Sequence, residues 1–118
     1  MPAPLNEYRY LGRVTRPSGV SDQELFKNLR DAKREIADRH RTGVAVVYTF
    51  AYSEMGISVD LDSISAADVT DRLEPGTTVD LYQVHRDGNI EPNARYRLTL
   101  GDRGGVSSVR LKEGVHPA

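Results

Sequence analysis

Hydrophobic and polar positions alternate weakly from Glu7 to Val14: Tyr8, Tyr10 and Val14 share one face, Glu7, Arg9, Leu11 and Arg13 the other. That period predicts a first strand, of a kind that suits a sheet edge. Arg16-Pro17-Ser18-Gly19 is turn chemistry. The spacing then changes. Leu25, Phe26, Leu29, Ala32, Ile36, Ala37 and His40 recur at helical intervals, and Ser21-Asp22-Gln23-Glu24 reads as a capping box with Val20 and Leu25 as its staple. A long amphipathic helix is expected from Ser21, with Arg39 and Arg41 complementing the dipole in its last turn and Gly43 as its stop.

Val44 to Tyr52 is apolar on both faces, which predicts a central strand buried on both sides. Ile57 to Asp62 alternates, with Asp60 and Asp62 outward. Ser65-Ala66-Ala67-Asp68 repeats the cap pattern and predicts a short second helix, ended by Pro75-Gly76. Thr77 to Lys112 reads as a three-stranded meander. A two-residue loop on Asp87-Gly88 would set Asp80 opposite Arg95, Val79 opposite Tyr96 and Leu81 opposite Ala94. Pro92 sits badly in that ladder, since it has no N–H to donate.

The expected fold is therefore α+β: a single domain over residues 1–118, with a mixed or antiparallel sheet and the order β-α-β-β-α-β-β-β. The long helix packs on the sheet, residues 1–5 form an extended arm and residues 113–118 a tail. A chain of 118 residues has room for one core of this kind. Its longest apolar stretch is half a membrane span, so no membrane partner is expected. The start, Met1 to Tyr8, has neither a basic nor an apolar region, and no secretory signal is expected there. Cysteine is absent, which excludes disulfides and thiolate chemistry and suits a cytoplasmic location.

The net charge of −1 conceals an uneven layout. Residues 44–85 carry Arg72 alone against seven acids, while residues 86–112 carry six basic residues against three acids. With Leu98, Val109 and Leu111 facing inward, Arg95, Arg97, Arg110 and Lys112 would share one outer face with Tyr82, which could stack under a guanidinium. Like charges on neighbouring strands repel by up to about 1 kcal/mol per pair, so an anionic partner is expected to meet them.

Catalytic signatures are sparse. His40, His85 and His116 have no metal spacing, there is no nucleophile elbow, and the Gly101–Gly105 loop joins strands where a phosphate loop needs a helix. Asp60 and Asp62 could in principle hold Mg²⁺ or Mn²⁺, though a solvated strand face accounts for them better. No cofactor, resident metal or catalytic residue is expected. The sequence favours a non-catalytic protein-binding or assembly module, self-association being one form. Its basic face would be Arg95, Arg97, Arg110, Lys112 and Tyr82, its acidic face Asp60 and Asp62. The alternatives are a nucleic-acid-binding domain using the same basic face and a small metal-dependent hydrolase.

Overall fold

The computed structural model describes residues 9–49, 65–85 and 89–111. Its elements are strand β1 (Tyr10–Thr15), strand β2 (Ser21–Phe26), helix α1 (Leu29–Thr42), and strands β3 (Val44–Thr49), β4 (Ser65–Thr70), β5 (Thr78–Gln83), β6 (Tyr96–Leu100) and β7 (Val106–Arg110). Five strands form one antiparallel sheet in the order β2-β1-β5-β6-β7, and β3 pairs with β4 in a separate two-stranded sheet. The α+β class is as expected. No helix among the described residues is long and apolar enough to cross a membrane.

Where the sequence pattern suggested the start of the helix, the chain makes a hairpin. Gly19, at φ 92°, lets the turn close: its N–H donates to the Arg16 carbonyl, and the Arg16 N–H donates to Val20. Thr15 then lies opposite Ser21, and β2 runs back along β1 to Phe26. The ladder to β1 satisfies the N–H groups that a cap at Ser21 would have served. The cap falls instead on Asn28, whose side-chain oxygen accepts from the Asp31 N–H at 2.8 Å. The far end is as expected: Gly43 adopts φ 77° and its N–H donates to the Arg39 carbonyl.

The second expected helix is also a strand. Ser65–Thr70 pairs with β3 from Thr49↔Ser65 to Val44↔Thr70, so cross-strand hydrogen bonding overrides the cap-like Ser-Ala-Ala-Asp pattern. Nor is β3 central: it belongs to the two-stranded sheet, and Val44 and Val46 are 62% and 40% exposed. The expected Ile57–Asp62 strand lies outside the described residues.

The core lies between α1 and one face of the large sheet. Ala32 and Ile36 of the helix meet Val14, Phe26, Val79, Leu81, Leu98 and Leu100 of the strands, and Leu73 joins them from the segment after β4. The C-terminal meander is present, with a different register. Val79 faces Leu98, Asp80 faces Arg97 and Leu81 faces Tyr96. Nearer the tip, Val84 bridges Ile90, and the His85 N–H donates to Asn89, one residue away from the expected pairing. Between Ile90 and Arg95 the second strand carries surplus residues around Pro92. The proline cannot donate to the ladder, so the strand bulges there and resumes where the Arg95 N–H donates to Leu81.

Gly12 sits on the core face of β1 at the closest approach to Phe26. A Cβ at this position would lie 2.4 Å from Phe26 Cε2 and 3.1 Å from Val79 Cγ1. Gly12→Ala is expected to cost about 1–3 kcal/mol through overpacking, read as a lower urea midpoint. An unchanged midpoint would show that the Phe26 ring moves aside freely.

Candidate functional site

Side chains alternate between the two faces of the large sheet, so the ladder registers place each one. The face under α1 carries the core. The opposite face is built of cross-strand rows. One row reads Gln23, Arg13, Asp80, Arg97 and Val109 across all five strands. The next consists entirely of hydroxyl residues: Ser21, Thr15, Thr78, Thr99 and Ser107. On the other side of the charged row, Leu25, Leu11 and Tyr82 lie in line, and the first two are buried.

Arg97 lies on the same face as Tyr82, while the ladder does not place Arg95 there. The Arg95 N–H donates to Leu81 of β5 while its carbonyl accepts from Leu111 beyond β7, so Arg95 belongs to the bulge rather than to the regular ladder, and it lines a cleft with Arg110. Arg110 does not share the face. It pairs with Tyr96, and Val109 pairs with Arg97, so Arg110 points to the helix side and Val109, 61% exposed, to the open side. The reason is the β6–β7 turn. Gly104 at φ 85° and two hydrogen bonds between Gly101 and its neighbours close it so that Leu100 faces Val106. Placing Val109 inward requires a register one residue away, and a one-residue slip exchanges the two faces of a strand. Lys112, Asp60, Asp62 and His116 lie outside the described residues.

One cation that the sequence reading left out of the site belongs to it. Arg13 lies directly opposite Asp80. Arg9 precedes the regular ladder: its N–H donates to Phe26 on one side and its carbonyl accepts from Val84 on the other, so alternation along β1 does not assign it to this face. The place of Arg13 on β1 was visible in the sequence; the pairing of β1 with β5 was not. Arg13 and Arg97 thus stand on the open face on either side of Asp80. Arg97 holds that carboxylate by two bonds, Nε to Oδ1 at 2.8 Å and Nη2 to Oδ2 at 3.3 Å. The Asp80 hydrogen bond and charge raise the Arg97 pKa further above its ordinary value, so it stays cationic at every working pH.

Beneath the other face lies a buried ionic cluster. Arg39 of α1 is 1% exposed and occupies the position on the helix stripe where an apolar residue would be expected after Ala32 and Ile36. Its guanidinium binds Asp22 Oδ2 at 3.0 Å, contacts Glu24, and donates from Nε to the Asp71 carbonyl at 3.2 Å. Asp22 and Glu24 come from β2, the strand mistaken for a helix start. Arg16 adds a second tie: it pairs with Asp71 and donates to the Arg72 carbonyl at 3.3 Å. Burial raises the Glu24 pKa from 4.5 to about 7. The Arg39 charge opposes this and the Asp22 charge adds to it.

His85 Nε2 lies 2.9 Å from Glu91 Oε1 at an exposed position. Among the described residues no three His, Asp or Glu side chains gather as a metal site. No family model, curated protein or solved structure matches the chain.

The cluster makes stability depend on pH. Glu24 keeps its proton to about pH 7 when folded and to about 4.5 when unfolded, so the folded state binds more protons between those values. Its contribution is fully present below about pH 4.5 and is lost as pH rises through about 7. It amounts to about 3 kcal/mol at most. Urea titrations from pH 5 to 8 are expected to show stability falling, and Glu24→Gln should flatten that slope; an unaltered slope in the variant would assign it elsewhere. Arg39→Met leaves buried Glu24 and half-buried Asp22 without a counter-charge and is expected to cost about 3–5 kcal/mol at pH 8.

Proposed function

We propose that the chain is a non-catalytic protein-binding or assembly module that presents the open face of its five-stranded sheet to an acidic protein surface. The supporting observation is the charged row on that face, where Arg13 and Arg97 flank Asp80. Complementary charge steers association and fixes orientation more than it adds raw affinity. Val109 at the end of the Arg13–Asp80–Arg97 row supplies an apolar contact on the edge strand β7. The cysteine-free composition suits a cytoplasmic setting.

A second copy is one such partner. Asp31, Glu35 and Asp38 recur on α1, which covers the opposite side of the sheet, and they outnumber Lys27 and Arg34 in the lining of an open groove of about 450 Å³ beside Val44 and Val46. Basic face to acidic groove would be a head-to-tail contact, which forms rings or open chains according to its rotation. The hydroxyl row and Tyr82 favour a second reading, a single-stranded nucleic acid. Hydroxyls and guanidinium groups contact phosphates, and an aromatic ring stacks bases.

Titration with a fluorescent poly-glutamate peptide and a single-stranded oligonucleotide of equal charge separates the readings. The protein reading expects tighter binding of the peptide, weakened at least about tenfold by the pair Arg13→Glu and Arg97→Glu. Tighter binding of the oligonucleotide, with a steep salt dependence, would instead establish the nucleic-acid reading. Light scattering at low and high salt reports self-association, and a monomer throughout would exclude the second copy.

A further inference from the structure

Helix α1 ends beside another group of cations, separate from the sheet face. His40 and Arg41 of its last turn, Arg72 from the segment after β4 and Arg103 from the β6–β7 turn line one open cavity of about 460 Å³, together with Asp38 and Gly104. The helix dipole accounts for cations in the last turn. It does not account for Arg72 and Arg103, which come to the same cavity from two other segments. Asp38 is the carboxylate in the lining, and it already accepts from Arg41 at 2.7 Å. Among the described residues no carboxylate pairs with Arg72 or Arg103.

The cavity wall is held in place by specific contacts. His40 Nδ1 lies 2.7 Å from the Leu73 carbonyl, which can only accept, so Nδ1 carries a proton and the ring is fixed in orientation. The opposite edge of the ring lies against Gly104. A Cβ there would come within 3.1 Å of His40 Cδ2, and the backbone at φ 85° already disfavours a side chain. The turn carrying Arg103 is thereby seated on the helix end, and Arg72 follows Asp71, whose N–H donates to the Gly43 carbonyl at 2.6 Å. Three guanidinium groups from three segments are therefore brought to one cavity by the fold itself.

We propose that this cavity binds the phosphate group of a small phosphorylated molecule. Guanidinium forks match phosphate oxygens in geometry and charge, and three of them against one already paired carboxylate leave the cavity cationic. Its volume lies in the range of small-molecule sites. The proposal is independent of the sheet-face reading, since the two sites share no residue.

Titration of the isotope-labelled chain with pyrophosphate, at constant ionic strength set with sodium chloride, tests it by NMR. Saturable shifts are expected at Arg72, Arg103 and Gly104, with a dissociation constant of about 1 mM or tighter. Arg72→Ala and Arg103→Ala should each weaken binding about tenfold, and Arg97→Ala on the sheet face should leave it unchanged. Shifts that stay linear to about 10 mM would overturn the proposal. So would equal affinity in all the variants, or a loss caused by Arg97→Ala alone, which would put the phosphate on the sheet.

Discussion

A guanidinium buried against two carboxylates holds the architecture together. Arg39 stands on the helix stripe where an aliphatic side chain would have packed, and Asp22 and Glu24 meet it from β2. Replacing such a cluster by hydrocarbon would often be neutral for stability, but removing one member strands the others without charge balance. The cluster therefore contributes position more than energy. It fixes which strand lies beneath the end of α1 and in which register, because only alternate residues of β2 face the helix. Through the Asp71 carbonyl it also ties in the segment leading to Leu73, which fills the core.

The same cluster explains what was legible in the sequence and what was not. Asp22 and Glu24 resemble first-turn helix residues, and Arg39 resembles a last-turn dipole partner. Each assignment is locally sound. The contacts that decide between them join residues 15 to 17 positions apart, and a local pattern carries no record of those. Helix body and C-terminal meander were legible because their periodicities are long and consistent. Ser65–Thr70 was not, since its residues are mostly exposed and only pairing with β3 makes it a strand.

The open face shows the limits of arguments from parity. Alternation along β6 puts Arg97 opposite Asp80, but it does not carry across the irregular backbone at Arg95. Carrying that alternation across the Gly101–Gly105 turn required knowing how the turn closes, and there the hydrophobicity of Val109 misled. Sheet order was the other missing fact. Once β1 lies between β2 and β5, Arg13 joins Arg97 from the opposite end of the chain, and the charged row becomes broader than the meander alone could make it. The acidic residues Asp60 and Asp62, which the sequence set against that face, fall outside the described residues.

The position of β1 also bears on how quickly the molecule assembles. Its hairpin partner β2 is next in sequence, but its other neighbour, β5, begins more than sixty residues later, with the helix and the small sheet in between. The hairpins β1–β2 and β6–β7 can close locally within microseconds. Joining them requires a long loop to close before the Arg13–Asp80–Arg97 row exists, and sheets rich in such distant pairings fold in about milliseconds to seconds. Until that step is complete, β1 and β5 both present unpaired backbone to the solvent. Chain collapse is therefore the interval in which this protein is most open to pairing with the wrong strand.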